Sequence, residues 1–202
     1  LSFHWVTQNT LTTLDCVDPE PHPVDQETLY WRFSLWQDGF EGEPSYSEWD
    51  SAQYTELPVG IYFKEDSWHD LEYYCADHLG NRGDTYVQYY IVDTQVPVIE
   101  KEIVGPHSGD CLPEKEGDEC YIDGITEIHV DAIDPEPHPV DEIVCDWSYE
   151  VLDNEGSGSE QGLTPPFIIK FPEESTHELT IVCKDALGNE ARDVEEFIVD
   201  KT

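Results

Sequence analysis

Apolar and polar residues alternate with period two along most of this chain. In Leu11-Thr12-Thr13-Leu14-Asp15-Cys16 the alternation puts Leu14 and Cys16 on one face, and in Ile128-His129-Val130-Asp131-Ala132 it does the same for Val130 and Ala132. It resumes in Leu29-Tyr30-Trp31-Arg32-Phe33-Ser34-Leu35 and in Cys145-Asp146-Trp147-Ser148-Tyr149-Glu150-Val151. Shorter apolar runs follow at Gly60-Ile61-Tyr62-Phe63 and Phe167-Ile168-Ile169-Lys170-Phe171, each preceded by proline. Penultimate strands are predicted over 71–75 and 179–183, and last strands over 85–92 and 194–199. No stretch has convincing helical periodicity. Short strands with turn signals about every ten residues predict an all-β chain of two sandwiches.

The order of these segments repeats. Asp15-Cys16-Val17-Asp18-Pro19-Glu20-Pro21-His22-Pro23-Val24-Asp25 returns as Asp131-Ala132-Ile133-Asp134-Pro135-Glu136-Pro137-His138-Pro139-Val140-Asp141, 116 positions later. Tyr74-Cys75-Ala76-Asp77-His78-Leu79-Gly80-Asn81 returns as Val182-Cys183-Lys184-Asp185-Ala186-Leu187-Gly188-Asn189, 108 positions later. Two blocks recurring in one order mean two copies of a module, with a connection eight residues longer in the first copy. The expected domains are residues 1–93 and 94–202. Each has the length to bury its own core.

Charge narrows the partners. With 46 acidic and 9 basic residues the chain carries −37 at pH 7, which repels phosphate and so excludes nucleic acid, and disfavours anionic lipid. Aromatic residues make up 12% and the charges are scattered, so the chain folds and is not an acidic tail. No apolar run reaches the length of a membrane span, so no direct membrane insertion is expected, and no signal peptide is visible. The chain has no methionine, so residue 1 is not an initiator; processing or a cut in a longer chain made this start.

Six cysteines, none in Cys-x-x-Cys spacing, predict three disulfides and an extracellular or cell-surface location. Cys111 and Cys120 bracket one acidic loop. The repeat suggests Cys16 with Cys75 and Cys145 with Cys183, one bridge per copy, although six cysteines allow fifteen connectivities.

A Trp on the third strand of each copy (Trp31, Trp147), cysteines on neighbouring strands, a Cys-x-Asp-x-Leu-Gly-Asn turn and the link Asp93-Thr94-Gln95-Val96-Pro97 together carry a resemblance. The chain resembles the bacterial and archaeal extracellular immunoglobulin-like repeats related to the hyalin-repeat and fibronectin type III groups. The resemblance covers nearly the whole chain. It implies two tandem immunoglobulin-like β-sandwich domains and a place in surface-layer, filament or adhesin proteins. In that frame Cys16–Cys75 joins opposing sheets, as in antibody-type domains, whereas Cys145 reaches Cys183 on the adjacent strand. One departure stands out. Domain two has a strand-like run, Val96 to Val104, ahead of its Pro-rich block, and domain one starts about 22 residues too late to have its counterpart. The first sandwich is therefore expected to lack its first strand, so that the chain is a window on a longer array or is completed by a neighbour's strand.

The Asp-Pro-Glu-Pro-His-Pro-Val-Asp blocks are expected to be stiff end loops, because proline restricts φ and removes backbone donors. Calcium takes about six to eight oxygens and gains from rigid ligands. In the antibody-like topology the loops of Asp77 and Asp185 and the linker residue Asp93 fall at the same end. A junction calcium (Ca2+) site is therefore expected from Asp93, Asp134, Glu136, Asp141 and Asp185, fixing the angle between domains. An equivalent from Asp18, Glu20, Asp25 and Asp77 is expected to bind more weakly. The competing reading is a solvated acidic surface, as in proteins that work at high salt.

His22 and His138 lie in these loops, and His69 and His177 are expected in a second loop before the penultimate strand. Zinc or copper would need two or three imidazoles together, and nothing brings these pairs together, so hydrogen bonding within loops is the expected role. Tyr30, Trp36, Trp49, Tyr54 and Trp68 can stack on sugar if exposed together, but aromatics on alternating strands more often form core. No Gly-x-Ser-x-Gly or His-Glu-x-x-His motif occurs, and acidic pairs are too common here to mark a glycosidase, so no catalysis is expected. The expected function is a structural repeat of a surface layer, stalk or filament, rigidified by disulfides and calcium. Its partners would be copies of itself or further repeats. The alternative is an adhesin or carbohydrate-binding module recognising a cell-surface glycan through exposed aromatics.

Non-reducing peptide mapping is expected to return three bridges, each inside one module. A bridge between residues 1–93 and 94–202 would overturn the assignment.

Overall fold

The computed structural model describes residues 2–20, 26–36, 39–40, 42, 44–109, 111, 119–136, 140 and 142–201. The chain divides into two compact units, residues 1–94 and 95–202. Both are immunoglobulin-like β-sandwiches, a larger sheet packed on a smaller one.

Unit 1 contains β1 (Phe3–Val6), β2 (Thr12–Leu14), β3 (Thr28–Trp36), β4 (Ser45–Tyr46), β5 (Asp50–Gln53), β6 (Val59–Ile61), β7 (Ser67–Ala76) and β8 (Tyr86–Val92). Its larger sheet runs β1-β8-β7-β3-β4, with β5 also paired to β3, and its smaller sheet is β2-β6. Unit 2 contains β9 (Val98–Val104), β10 (His107–Ser108), β11 (Cys120–Ile122), β12 (Glu127–Ile133), β13 (Val144–Val151), β14 (Ser157–Leu163), β15 (Phe167–Ile169), β16 (Thr176–Lys184) and β17 (Glu190–Val199). Its sheets run β10-β11-β17-β16-β13-β14 and β15-β12-β9.

The repeat is also a repeat of register. Thr12 pairs with Ile61 and Leu14 with Val59, while Ile128 pairs with Ile169 and Val130 with Phe167. The β2 and β12 partners are 116 positions apart and the β6 and β15 partners 108 apart, the two offsets of the sequence blocks. In both units the side chains buried between the sheets come from alternate positions of these strands: Leu14, Leu29, Leu71 and Val92 in unit 1, Val130, Leu179, Ile181 and Phe197 in unit 2.

Six strands, β1, β4, β5, β10, β11 and β14, lie outside the sequence expectation. β1 pairs in parallel with β8, as β11 does with β17, so unit 1 does possess an N-terminal strand in its larger sheet. What unit 1 lacks, among the described residues, is a counterpart of β9, which pairs with β12 from Glu127↔Val104 to Ile133↔Val98. β5 and β14 are edge strands with no apolar alternation, as in Ser-Gly-Ser-Glu-Gln-Gly-Leu; ladder hydrogen bonds to β3 and β13 hold them rather than burial. β9 itself turns a lysine inward. The Lys101 side chain is 2% exposed, and its Nζ is 2.6 Å from Asp193 and also pairs with Glu195. Two carboxylates compensate the desolvated ammonium.

The disulfides are Cys16–Cys75, Cys111–Cys120 and Cys145–Cys183. The first ties the segment after β2 to β7, across the two sheets. The third joins directly paired residues of β13 and β16. The loops that these two bridges close, with sequence separations of 59 and 38, are each worth a few kcal/mol, about 3–4, through restriction of the unfolded chain.

His69 and His177 are corrected by the structure. They lie on β7 and β16 rather than in a loop, and both face the core. The extended stretch begins earlier than its apolar residues suggest, because imidazole counts as polar in the pattern yet packs here as an aromatic ring. Phe171 stacks on His177 at 4.4 Å and Tyr149 meets its edge, just as Phe63 packs on His69 at 5.0 Å. Nδ1 of His177 is 3.1 Å from the Ser175 carbonyl, and Nε2 is buried without a hydrogen-bond partner among the described residues.

Desolvation holds the His177 pKa below its usual 6.5, outweighing the Ser175 carbonyl and the charges of Glu173 and Asp153, while Lys201 pushes the same way as burial. The folded state therefore takes up a proton less readily than the unfolded state. This contribution is fully present above pH 6.5 and is lost as pH falls toward the folded value. Urea unfolding of unit 2 between pH 8 and 5 is expected to lose stability below about pH 6.5. A His177→Phe variant is expected to remove that part of the slope, and an unchanged slope would contradict the assignment.

Candidate metal centre

The turns after β7 and β16 are built around one aspartate each. Asp185 Oδ1 accepts the amides of Leu187 (2.8 Å) and Asn189 (2.9 Å), and Oδ2 accepts Asn189 Nδ2 (2.7 Å). Gly188, at φ +88°, lets the chain reverse, and its amide donates to the Asp185 carbonyl. Asp77 repeats the pattern with Asn81, whose amide and Nδ2 donate at 2.8 and 2.6 Å. The side-chain hydrogen bond from Asn81 is the main cause holding the Asp77 carboxyl below its ordinary pKa. Only Asp185 is buried, at 6% exposed.

Asp134 leaves β12 at the start of the Pro-rich block, and its Oδ2 accepts the Val140 amide across that block. One of its carboxylate oxygens lies within 4.8 Å of one from Asp185. Two like charges this close, one of them buried, raise the free energy unless a cation sits near both. The donor set is hard oxygen throughout, which suits calcium and not zinc or copper. Glu142 lines a cleft with Asp134 and Val140, a carboxylate that sequence reasoning missed. It sits at φ +77°, and Gln26, 116 positions earlier, sits at +85°, so both blocks end in the same strained backbone turn. Glu136 has an exposed side chain, and its carbonyl accepts Gln95 Nε2 at 3.2 Å. Asp93 follows β8, is 1% exposed, and donates its amide to the Val6 carbonyl. Asp141 and His138 lie outside the described residues.

In unit 1, Asp18 and Asp77 line one cleft, with Glu27 and Arg82 beside them. Arg82 sits 3.7 Å over the Tyr74 ring and donates to Thr85. The corresponding residue of unit 2 is Glu190, which pairs with Lys184. Unit 1 thus carries an arginine where unit 2 carries a glutamate. Glu20 is exposed, and Asp25 and His22 lie outside the described residues.

The candidate sugar-binding aromatics are mostly engaged with one another. Phe40 packs edge-on against Trp36 and Trp68. Tyr30 stacks on Tyr74, and Trp49 meets Tyr74 edge-on. Arg32 lies over both Tyr46 (4.1 Å) and Trp49 (4.7 Å) and pairs with Glu72. Beneath this layer Ser34 and Asp70 are buried and hydrogen-bonded, and the Tyr46 hydroxyl reaches Asp70. Burial, then the charges of Asp70 and Glu72, push the Tyr46 pKa up to about 12. Tyr54 remains exposed. The loop between β3 and β5 thus lays a second aromatic layer on the outer face of unit 1, which the sequence pattern did not reveal.

No protein-family model matches this chain, and no curated protein matches it. Among solved structures it is similar to the chicken CNTN1 FN1-FN3 domains (10% identity, TM-score 0.36, covering 98% of this chain and 65% of that one). It is also similar to a 1.5-MDa bacterial ice-binding adhesin (10%, 0.43, 98% and 61%). A third similarity is to the fibronectin(III)-like modules of Clostridium thermocellum CbhA (12%, 0.37, 100% and 91%). The chain spans less than two thirds of the length of the first two.

The turn aspartates give a direct test. In chelator, Asp185→Ala is expected to destabilise unit 2 by about 2–3 kcal/mol, because three donors lose a buried acceptor. Asp77→Ala is expected to cost unit 1 clearly less, because Asp77 is only half-buried and water can replace the lost acceptor. Equal losses in urea unfolding would show that burial does not set the difference.

Proposed function

We propose that this chain is a structural repeat segment of an extracellular cell-surface array, a surface layer, stalk or filament, stiffened by disulfides and by calcium. The single observation that carries the calcium part is the Asp134–Asp185 carboxylate pair, brought within 4.8 Å from two separate loops of unit 2. Asp93 is proposed as a further ligand by connectivity: it is two residues from Gln95, whose side chain holds the Glu136 carbonyl in the Pro-rich block. Two modules of one design, disulfides that suit an oxidising compartment, and a strongly acidic net charge of −37 support the structural reading. The reading is non-catalytic. An adhesin or glycan-binding role has less support, because the aromatic faces it would use are largely spent on each other and on Arg32 and Arg82.

Calorimetry is the test. Binding only to the folded state raises stability by about 2.7 kcal/mol at a hundredfold excess over the dissociation constant. Millimolar calcium is expected to raise the unit 2 transition, chelator to lower it, and Asp134→Asn to abolish the response. Any response of unit 1 should be weaker, because Arg82 lines its cleft and offsets part of the negative charge there. A transition indifferent to calcium and chelator would leave the carboxylates as a solvated acidic surface.

A further inference from the structure

β9 and β17 belong to different sheets of unit 2, yet one lysine and two carboxylates join them across the core. On β9 the inward face carries Ile99, Lys101 and Ile103, and Lys101 stands opposite the buried Val130 of β12. On β17, Asp193 stands opposite Ile181 and Glu195 opposite Leu179, both fully buried. The Lys101 ammonium thus meets Asp193, at 2.6 Å, and Glu195 over an apolar floor. The three side chains are 2%, 20% and 13% exposed in that order.

The module folds without charges at the two carboxylate positions. By strand register they are Tyr86, opposite Tyr73, and Gln88, opposite Leu71, in unit 1. Removing an ammonium and two carboxylates from water costs more than burying apolar side chains of similar size. Stability of the ion pair alone therefore does not account for the trio.

We propose that Lys101 and Asp193 condense to an intramolecular amide, with Glu195 as the proton carrier. The ammonium passes one proton by way of Glu195 to the Asp193 carboxylate, leaving a free amine beside a carboxylic acid. Nζ attacks Cγ of Asp193 and the N–C bond forms. Glu195 then moves a second proton from the nitrogen to the hydroxyl on Cγ, the C–O bond breaks, and one water leaves. Glu195 ends as the carboxylate it began as, and one positive and one negative charge have become a neutral amide. No oxidant, metal or second molecule enters. Fixed neighbours replace a bimolecular encounter, and the apolar surroundings disfavour the two charges that the amide removes. Asp193 is the acyl donor because its shorter side chain holds its carboxyl carbon more firmly, and its partial exposure gives the water a way out. Glu195 is longer and more buried, which suits it to carry protons. The amide ties the first strand of unit 2 to its last, 92 positions apart in sequence. A pull on the two ends of the unit then meets a covalent bond as well as sheet hydrogen bonds. The bond is independent of the calcium reading.

Intact mass spectrometry of the whole chain, with its disulfides reduced, is the test. The expected mass is that of the sequence less one water. Trypsin is expected to spare Lys101 and to release residues 83–115 joined to residues 193–201, with fragmentation placing the link at Asp193. Asp193→Ala leaves Lys101 beside Glu195, and Glu195→Gln leaves it beside Asp193. Each variant is expected to fold, as checked by circular dichroism, and to keep its full mass. The proposal is overturned if the unaltered chain keeps its full mass, if the lost water lies within one linear peptide, or if the link maps to Glu195. It also fails if either variant, still folded, loses the water through a link to Lys101. Where a variant does not fold, the mass and mapping of the unaltered chain decide alone.

Discussion

Every other feature of each unit depends on one constraint, the burial of a single face of its central antiparallel pair against the smaller sheet. In unit 1 the pair is β3 and β7, and Leu29 and Leu71 are fully buried between them and β2-β6. In unit 2 it is β13 and β16, with Leu179 and Ile181 in that role. Side chains alternate between faces, so a slip of one residue would expose the whole set and bury charge in its place. That cost holds the register, and the register in turn places Cys145 opposite Cys183 and stacks each core histidine on a phenylalanine.

Because the constraint acts on one face, the other is free to diverge. The outer face of unit 2's central pair presents Ser148, Glu150, Thr180 and Glu178, while that of unit 1 presents Tyr30, Arg32, Tyr74 and Glu72 under an added layer from the loop before β5. The same freedom applies at the module ends. The turn aspartates Asp77 and Asp185 hold nearly identical hydrogen bonds, since that geometry closes the hairpin in both units. Their surroundings differ: an arginine beside one, a second carboxylate close to the other. One scaffold thus supports two electrostatic environments without altering its backbone.

The sequence by itself determined the fold class and the modular plan, because both follow from local periodicity. Alternation at Leu14 and Cys16, or Val130 and Ala132, can satisfy only a strand with one buried face, and the paired offsets of 116 and 108 reappear as strand register. It also pointed to Asp134 and Asp185, because a Pro-stiffened loop and an Asp-x-Leu-Gly-Asn turn carry their own local chemistry. Tertiary structure decided the rest. β5 and β14 are paired through ladder hydrogen bonds, which leave no apolar alternation in the chain. Lys101, His69 and His177 read as surface residues in a hydropathy pattern and are buried, because their surroundings compensate their polarity: Asp193 and Glu195, distant in sequence, for the lysine, and aromatic rings with nearby backbone carbonyls for the histidines. The place of Arg82 beside Asp18 and Asp77 comes from tertiary packing, which a linear pattern does not encode.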